Sequence, residues 1–328
     1  MPVVTLGKNG KRVNMIERIG SLYNLDNLRI VKRLDAGNFN DAFLVSDDND
    51  RKYVVRTSDD PIPELEESLA IQDIVFKKGC SVVRPRMSRS NRYSELLEDT
   101  NGREMAVSVI DYKEGATHEI IEENSISVST FHSIGQHVAE LHRAFSEIDI
   151  DDVKLNKWFD NDNCFNCFNE EHKSLEKDSY VVNEYLEYQG ICKKKYSDDR
   201  IIHSDIHFDN ILISGSSVYF CDFDDICLGD HRMDMALLLF DLAIISDPIG
   251  DWATINHYAT SIIAGYNEES KTSKVAISGL LDCFRLLELS FFVLYGEQDI
   301  NDLRDAWVKR FLFSRKEMIA NNQPFWNL

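Results

Sequence analysis

No apolar run in this sequence approaches the roughly 20 residues needed to span a bilayer, and the longest, Met235 to Ile245, is interrupted by Asp241. The expectation is therefore a chain with no membrane role. Its first 20 residues lack the apolar stretch and small-residue cleavage site of a secretory signal. Proline is scarce at six residues and glycine at 15, which sets aside fibrous, low-complexity and disordered classes. Seven cysteines, an odd number scattered along the chain, make no readable disulfide framework, and a reducing cytoplasm fits them best. Basic residues are outnumbered, 36 Lys and Arg against 56 Asp and Glu. The resulting charge of −20 weighs against binding to nucleic acid or an anionic surface. It leaves a cationic substrate or a divalent metal open, with most of the acids read as solvated surface.

What is present is enough for two packed cores: 328 residues, 43% hydrophobic, about twice the length one domain needs. Between Leu28 and Thr57 the alternating runs LRIVKRL, DAFLVS and RKYVVRT, separated by DAGNFN and DDND, predict three antiparallel strands. Pro61 and Pro63 then open a helical pattern that Lys77, Lys78 and Gly79 close. Further short strands are expected at Ser81 to Val83, Tyr93 to Leu97 and Met105 to Tyr112. From about Ile126 the period changes, since Phe131, Ile134, Val138, Leu141, Phe145 and Ile148 step by three and four. The stretch from Asp149 to Asp199 reads as polar and irregular with short helices. Beyond it come strand-like pieces and then helical patterns near Arg232 to Ile245, Ile255 to Tyr266, Val275 to Tyr295 and Asn301 to Asn321.

Chemistry concentrates in His203-Ser204-Asp205-Ile206-His207-Phe208-Asp209-Asn210-Ile211-Leu212-Ile213 and, downstream, Val218-Tyr219-Phe220-Cys221-Asp222-Phe223-Asp224-Asp225. Asp205 and Asn210 lie five apart on a loop that enters an apolar strand, and Asp222 ends a second strand after the turn Ser214 to Ser217. A hairpin brings all three to one end. A carboxylate at the loop apex, Asp205, suits the task of orienting and finally deprotonating an attacking hydroxyl. Asn210 and Asp222 offer the oxygen ligands that a hard cation such as Mg2+ prefers, and Asp224 is placed for a second metal or the substrate. His203, Asp205 and His207 also spell H-x-D-x-H, the donor pattern of a zinc hydrolase, although no third cluster of His ligands stands at useful spacing. Cys164, Cys167 and His172 make a single C-x2-C with one histidine, better read as unrelated thiols.

This constellation resembles the catalytic hairpin of kinase-like enzymes, and more closely the aminoglycoside phosphotransferase and choline kinase family, with its HGD-(L/I)-H-x-x-N-(I/L)-L and (I/V)-D-F-(D/E/G) patterns. The resemblance implies an α+β, two-lobed protein kinase-like fold. A small antiparallel sheet with one main helix would form the N-lobe at 1–110, with a hinge at 111–115 and a larger, mostly helical C-lobe at 116–328. It implies ATP and Mg2+ as cofactors and a small-molecule hydroxyl acceptor, with an amine-containing one in view. Leu34 to Val45 is similar to the family's phosphate loop, with Gly37 at the tip and Asn40 after it. Arg56 stands where the family carries a phosphate-binding cation, usually lysine, and Lys52 is the less suitable substitute. Glu67 is the chosen partner for that cation, with Glu66 and Glu64 as alternatives. Val109 to Gly115 resembles the hinge, which brings Ile110 and Tyr112 to the adenine edge. Asp234, in a G-D-x-x-x-D-(L/M)-A-like segment, His203 and His207 are implied as braces, while His142, in a Leu-His pair, is read as helix packing. Ser204 stands in place of the usual Gly. With Arg56, that departure keeps a non-catalytic nucleotide-binding scaffold open, and a bacterial serine/threonine protein kinase of the same fold is the other alternative.

Overall fold

The computed structural model of the chain describes residues 4–6, 12–34, 41–58, 62–98, 104–115, 126–160, 165–166, 180–215, 217–246, 252–271, 274–295 and 306–326. These divide into two compact units, Met1–Glu114 and Gly115–Leu328.

In the first unit a short ladder of β1 (Val4–Leu6) and β2 (Arg12–Asn14) leads into helix α1 (Met15–Tyr23). The three expected strands follow as β3 (Arg29–Leu34), β4 (Asp41–Ser46) and β5 (Lys52–Ser58). Helix α2 (Ile62–Lys77) ends where Gly79 takes φ of +91°, a conformation that costs glycine nothing. Strands β6 (Ser94–Glu98) and β7 (Glu104–Asp111) complete an antiparallel sheet of order β3-β4-β5-β7-β6. Its core packs Ile16, Ile19 and Tyr23 of α1 with Val45, Tyr53, Val55, Val107 and Val109. The expected strand at Ser81 to Val83 does not join the sheet. Beyond it, the segment through Pro85, which has no N–H to give a ladder, runs beside β7 and exchanges only two bonds with it, Arg86 N–H to Val109 O and Asp111 N–H to Arg84 O.

The second unit opens on α3 (Val128–Phe145), whose first turn is capped by the Ser127 hydroxyl accepting the Thr130 N–H. The expected polar, irregular stretch contains instead a 16-residue helix, α4 (Tyr180–Lys195). Then come β8 (Arg200–Ile202), β9 (Ile211–Ser214), β10 (Ser217–Phe220) and β11 (Cys227–Gly229), pairing as two antiparallel ladders, β9 with β10 and β8 with β11. Four further helices are α5 (His231–Ser246), α6 (Trp252–Glu269), α7 (Leu281–Tyr295) and α8 (Ala306–Ala320). Helices α3 and α6 cross backbone to backbone. A Cβ on Gly135 would lie 1.9 Å from the Ile262 carbonyl oxygen and one on Gly265 1.9 Å from that of His132, so neither position has room for a side chain. Among the described residues no helix is long and apolar enough to cross a membrane.

Candidate active site

The site grows out of α5. Asp230, just before the helix, accepts the Arg232 N–H at 2.9 Å and its guanidinium at 2.6 Å. Burial alone would raise the Asp230 carboxyl, and the Arg232 bonds outweigh it and hold the group below the usual range. One turn on, Asp234 is fully buried. Its two oxygens accept the backbone N–H of His203 at 2.9 Å, that of Ser204 at 2.8 Å and His142 Nε2–H at 3.0 Å. A carboxylate removed from water is stable only with such a set of donors. Asp234 thereby anchors the start of the loop that carries Asp205. His142 takes part in that anchoring as well as in helix packing, and its Nδ1 lies 3.0 Å from the Tyr266 hydroxyl of α6.

The loop then doubles back on itself. Asn210 Nδ2 donates to the Asp205 carbonyl at 2.9 Å and to Asp205 Oδ2 at 2.8 Å. Because its nitrogen is committed to Asp205, the Asn210 side chain keeps its oxygen as the acceptor end. The Cys221 N–H donates to the Asn210 carbonyl at 3.0 Å, one step past the β9–β10 ladder, so Asp222 emerges at the same end of the hairpin as Asn210 and Asp205. Asp224 follows, half-buried, in the Phe223 to Ile226 turn. Ser204 and Asp222 hold left-handed φ values of +66° and +62°. For L-residues that conformation costs about 1–2 kcal/mol each, and such strain gathers at working sites. It also gives the reason for the family's glycine at position 204.

The Asp205 and His207 side chains are each less than a third exposed, with His207 Nε2 3.5 Å from Asp205 Oδ2. Burial would raise the Asp205 carboxyl; the His207 bond, the His207 and His203 charges and the Asn210 bond more than offset it and hold Asp205 below the usual range. Burial works against the charged His207 ring too, and Asp205, Asp241 and Asp209 still bring it up to about 10. His203 is fully buried against Phe223, with Nε2–H on the Cys221 carbonyl. Among the described residues no group of three or more His, Cys, Asp and Glu is arranged to hold a metal, so the H-x-D-x-H pattern does not close into a zinc site. The oxygens of Asn210 and Asp222 fit a hard cation that keeps water and phosphate oxygens as its other ligands.

Burial lowers both His203 and His231 below the ordinary imidazole value of 6.5, His231 to about 2. As pH falls through 6.5 the unfolded chain binds a proton at His231 and the folded chain does not. The stability this confers is fully present above that pH and declines below it, by about 1 kcal/mol between pH 6.5 and 5.5, and burial of His203 acts in the same direction. His207, already charged in the folded chain across this range, offsets about a few tenths of a kcal/mol of this. All four tryptophans lie beyond Glu114, so urea midpoints read by tryptophan fluorescence at the two pH values check the drop in the second unit, and His231→Asn should remove the His231 share of it.

The first unit places the remaining expected residues as follows. Arg56 is half-buried on β5, between Ala42 and Ser108 of the neighbouring strands. Lys52 is exposed, its ammonium 5.6 Å from the centre of the Tyr112 ring. Glu67 is half-buried on α2, whereas Glu66 accepts the N–H groups of Tyr93 and Ser94 and the Ser94 hydroxyl, which fixes it as a brace for β6. Glu64 is exposed. Ile110 is buried on β7, and the Tyr112 N–H is already given to the Lys52 carbonyl at 3.2 Å. Gly37 and Asn40 lie outside the described residues, as do Cys164, Cys167 and His172. Asp241, in the sequence only an interruption of an apolar run, accepts the Phe208 N–H at its Oδ2 at 2.7 Å.

Comparison with known proteins adds the following. The family model described as "Phosphotransferase enzyme family" matches residues 30–267. No curated protein matches the sequence. Among solved structures, an amicoumacin kinase in complex with AMP-PNP, Ca2+ and its ligand is 17% identical, with 94% of this chain and 92% of that one covered at a TM-score of 0.69. A microcompartment-associated aminopropanol kinase is 14% identical, with 95% and 98% covered and a TM-score of 0.66. Choline kinase LicA from Streptococcus pneumoniae is 16% identical, with 93% and 97% covered and a TM-score of 0.58. At such identities the likeness speaks to the fold, which is the α+β protein kinase-like fold expected from the sequence.

Proposed function

This chain belongs to the phosphotransferase enzyme family and is a small-molecule kinase by that membership, and from this premise we propose that it transfers the γ-phosphate of ATP to a hydroxyl group of its acceptor with Mg2+ bound. The observation that carries the reading is the meeting of Asp205, Asn210 and the strained Asp222 at one end of a single hairpin. Asp205, kept ionised at neutral pH, orients the acceptor hydroxyl and takes its proton. A weakly basic carboxylate suits a loose transition state, in which the proton leaves late and positioning matters more than proton affinity. Asn210 and Asp222 would hold Mg2+, and Asp224 a second ion or the acceptor. The bound metal supplies neutralisation of the phosphate oxygens. Arg56 contributes a bidentate clamp for phosphate, oriented by Glu67, and Gly37 and Asn40 belong to the phosphate loop. Ile110 and Tyr112 serve the adenine edge; the Tyr112 N–H is given to the Lys52 carbonyl, which leaves the Tyr112 carbonyl as its backbone group for the base.

The charge of −20 supports an acceptor that carries an amine, as choline and aminopropanol do. The test is γ-labelled ATP with Mg2+ and a panel of amino alcohols, aminoglycosides, sugars and nucleosides. Label is expected on an amine-bearing alcohol. Label on added protein substrates would favour the protein kinase reading, and thermal stabilisation by ATP with no transfer the scaffold. In the same assay Asp222→Ala is expected to weaken Mg2+-dependent ATP binding by about tenfold or more, as lost metal ligation does, and calorimetry reads this directly.

A further inference from the structure

Asp241 is the single charge in the apolar stretch from Met235 to Ile245, and the chemistry proposed above does not use it. It lies seven residues after Asp234 on α5, two helical turns along and on the same face. Asp234 accepts the N–H groups of His203 and Ser204; Asp241 accepts that of Phe208. The segment around Asp205 is therefore tied at both ends to one face of one helix. Phe208 opens the short 3-10 turn Phe208–Asn210, and His207, at its cap position, makes no side-chain capping bond. The first N–H of that turn has its partner in Asp241, supplied by another element. The same turn carries Asn210, whose amide reaches back to Asp205.

We propose that Asp241 is a positioning residue for phosphoryl transfer, which holds the far end of the catalytic loop so that Asp205 and Asn210 keep their mutual geometry. The kinetic part of this inference rests on the phosphotransfer reading, and the structural part does not. Asp241 is half-buried while its chain neighbours Leu237, Leu238, Leu239, Phe240, Leu242 and Ala243 are buried and apolar, and what it faces is the loop, at the Phe208 N–H and beside the charged His207 ring. Leucine would suit the helix as well or better. What leucine cannot do is accept the Phe208 N–H, and a catalytic group displaced by about 1 Å loses on the order of 100-fold in rate.

The experiment uses the full chain as wild type, Asp241→Leu, Asp241→Ala and Asp241→Asn. In the Leu variant kcat should fall about 10- to 100-fold, with both KM values within about twofold of wild type. Hydrogen exchange at the Phe208 amide should rise about tenfold or more, while the fluorescence-detected urea midpoint stays level or increases. Asn, whose side-chain oxygen still accepts, should restore kcat to within about threefold. Wild-type exchange at Phe208 in the Leu variant overturns the proposal, as does a loss of kcat that tracks a loss of stability and is not rescued by Asn. If Leu does not fold, Ala carries the same readouts. A wild-type protein that transfers phosphate to nothing defeats the phosphotransfer reading by itself, and the exchange measurement then still decides whether Asp241 pins the loop.

Discussion

On the proposed chemistry an Asp205→Asn variant is expected to turn over about 10³-fold more slowly than wild type and to bind ATP and Mg2+ as wild type does. The substitution is nearly isosteric, and an amide oxygen at position 205 still accepts the Asn210 N–H. What disappears is the negative charge. The hydroxyl of the acceptor loses the group that aligns it and receives its proton, and His207 loses the carboxylate that keeps its ring protonated. Binding should be spared because Asn210 and Asp222, the proposed metal ligands, and Arg56, the proposed phosphate clamp, are untouched. The informative measurement is kcat beside a calorimetric Kd for ATP. A kcat within about tenfold of wild type would remove Asp205 from the chemistry, since general-base groups contribute 10²-fold or more.

Glu288→Ala is expected to destabilise the second unit by about 3–5 kcal/mol. Glu288 is fully buried on α7, and its two oxygens accept Arg285 Nη1 at 2.7 Å and Arg315 Nε at 2.6 Å. Arg285 in turn reaches Glu184 on α4, at 2.8 Å from Nε. Two guanidinium groups and two carboxylates thus form one neutral chain through α4, α7 and α8. Removing Glu288 leaves the buried Arg315 without its carboxylate and Arg285 with Glu184 alone, which costs more than the bonds themselves. Glu288→Gln keeps hydrogen-bonding capacity and should cost roughly half as much. Urea denaturation followed by tryptophan fluorescence, silent to the first unit, measures both; an Ala variant within about 1 kcal/mol of wild type would show that the network relaxes around the loss.

The sequence made the strands β3 to β5, helix α2 with both its ends, and the catalytic hairpin legible, because each is written in local alternation, capping residues or a short motif. Helix α4 was not legible because the side it buries is not apolar. Glu184 and Tyr185 lie there with Val182 and Cys192, and Glu184 is matched by an arginine 101 residues on. Helix α1 is only nine residues long, too short for the spacing of Ile16, Ile19 and Tyr23 to stand out as a helical period. The motif brings out the proposed metal and base residues, but not the groups that hold their loop. Asp234 meets backbone N–H groups 30 and 31 residues before it and an imidazole 92 residues before it. Periodicity assigns such residues to a helix and says nothing of what that helix touches. Asp241 did leave a signal, a lone charge inside an apolar helix that must find a partner.

The glycine contact between α3 and α6 reaches further than its own neighbourhood. Gly265 precedes Tyr266, whose hydroxyl meets His142; His142 holds Asp234, and Asp234 holds the two amides that begin the catalytic loop. A methyl group at 265 would wedge the helices apart and draw the tyrosine away from the imidazole. The loop would register, through three successive contacts, a change made on α6. Glycine 265 thus works as a spacer of zero thickness, setting the distance from which the rest of that chain of contacts is measured.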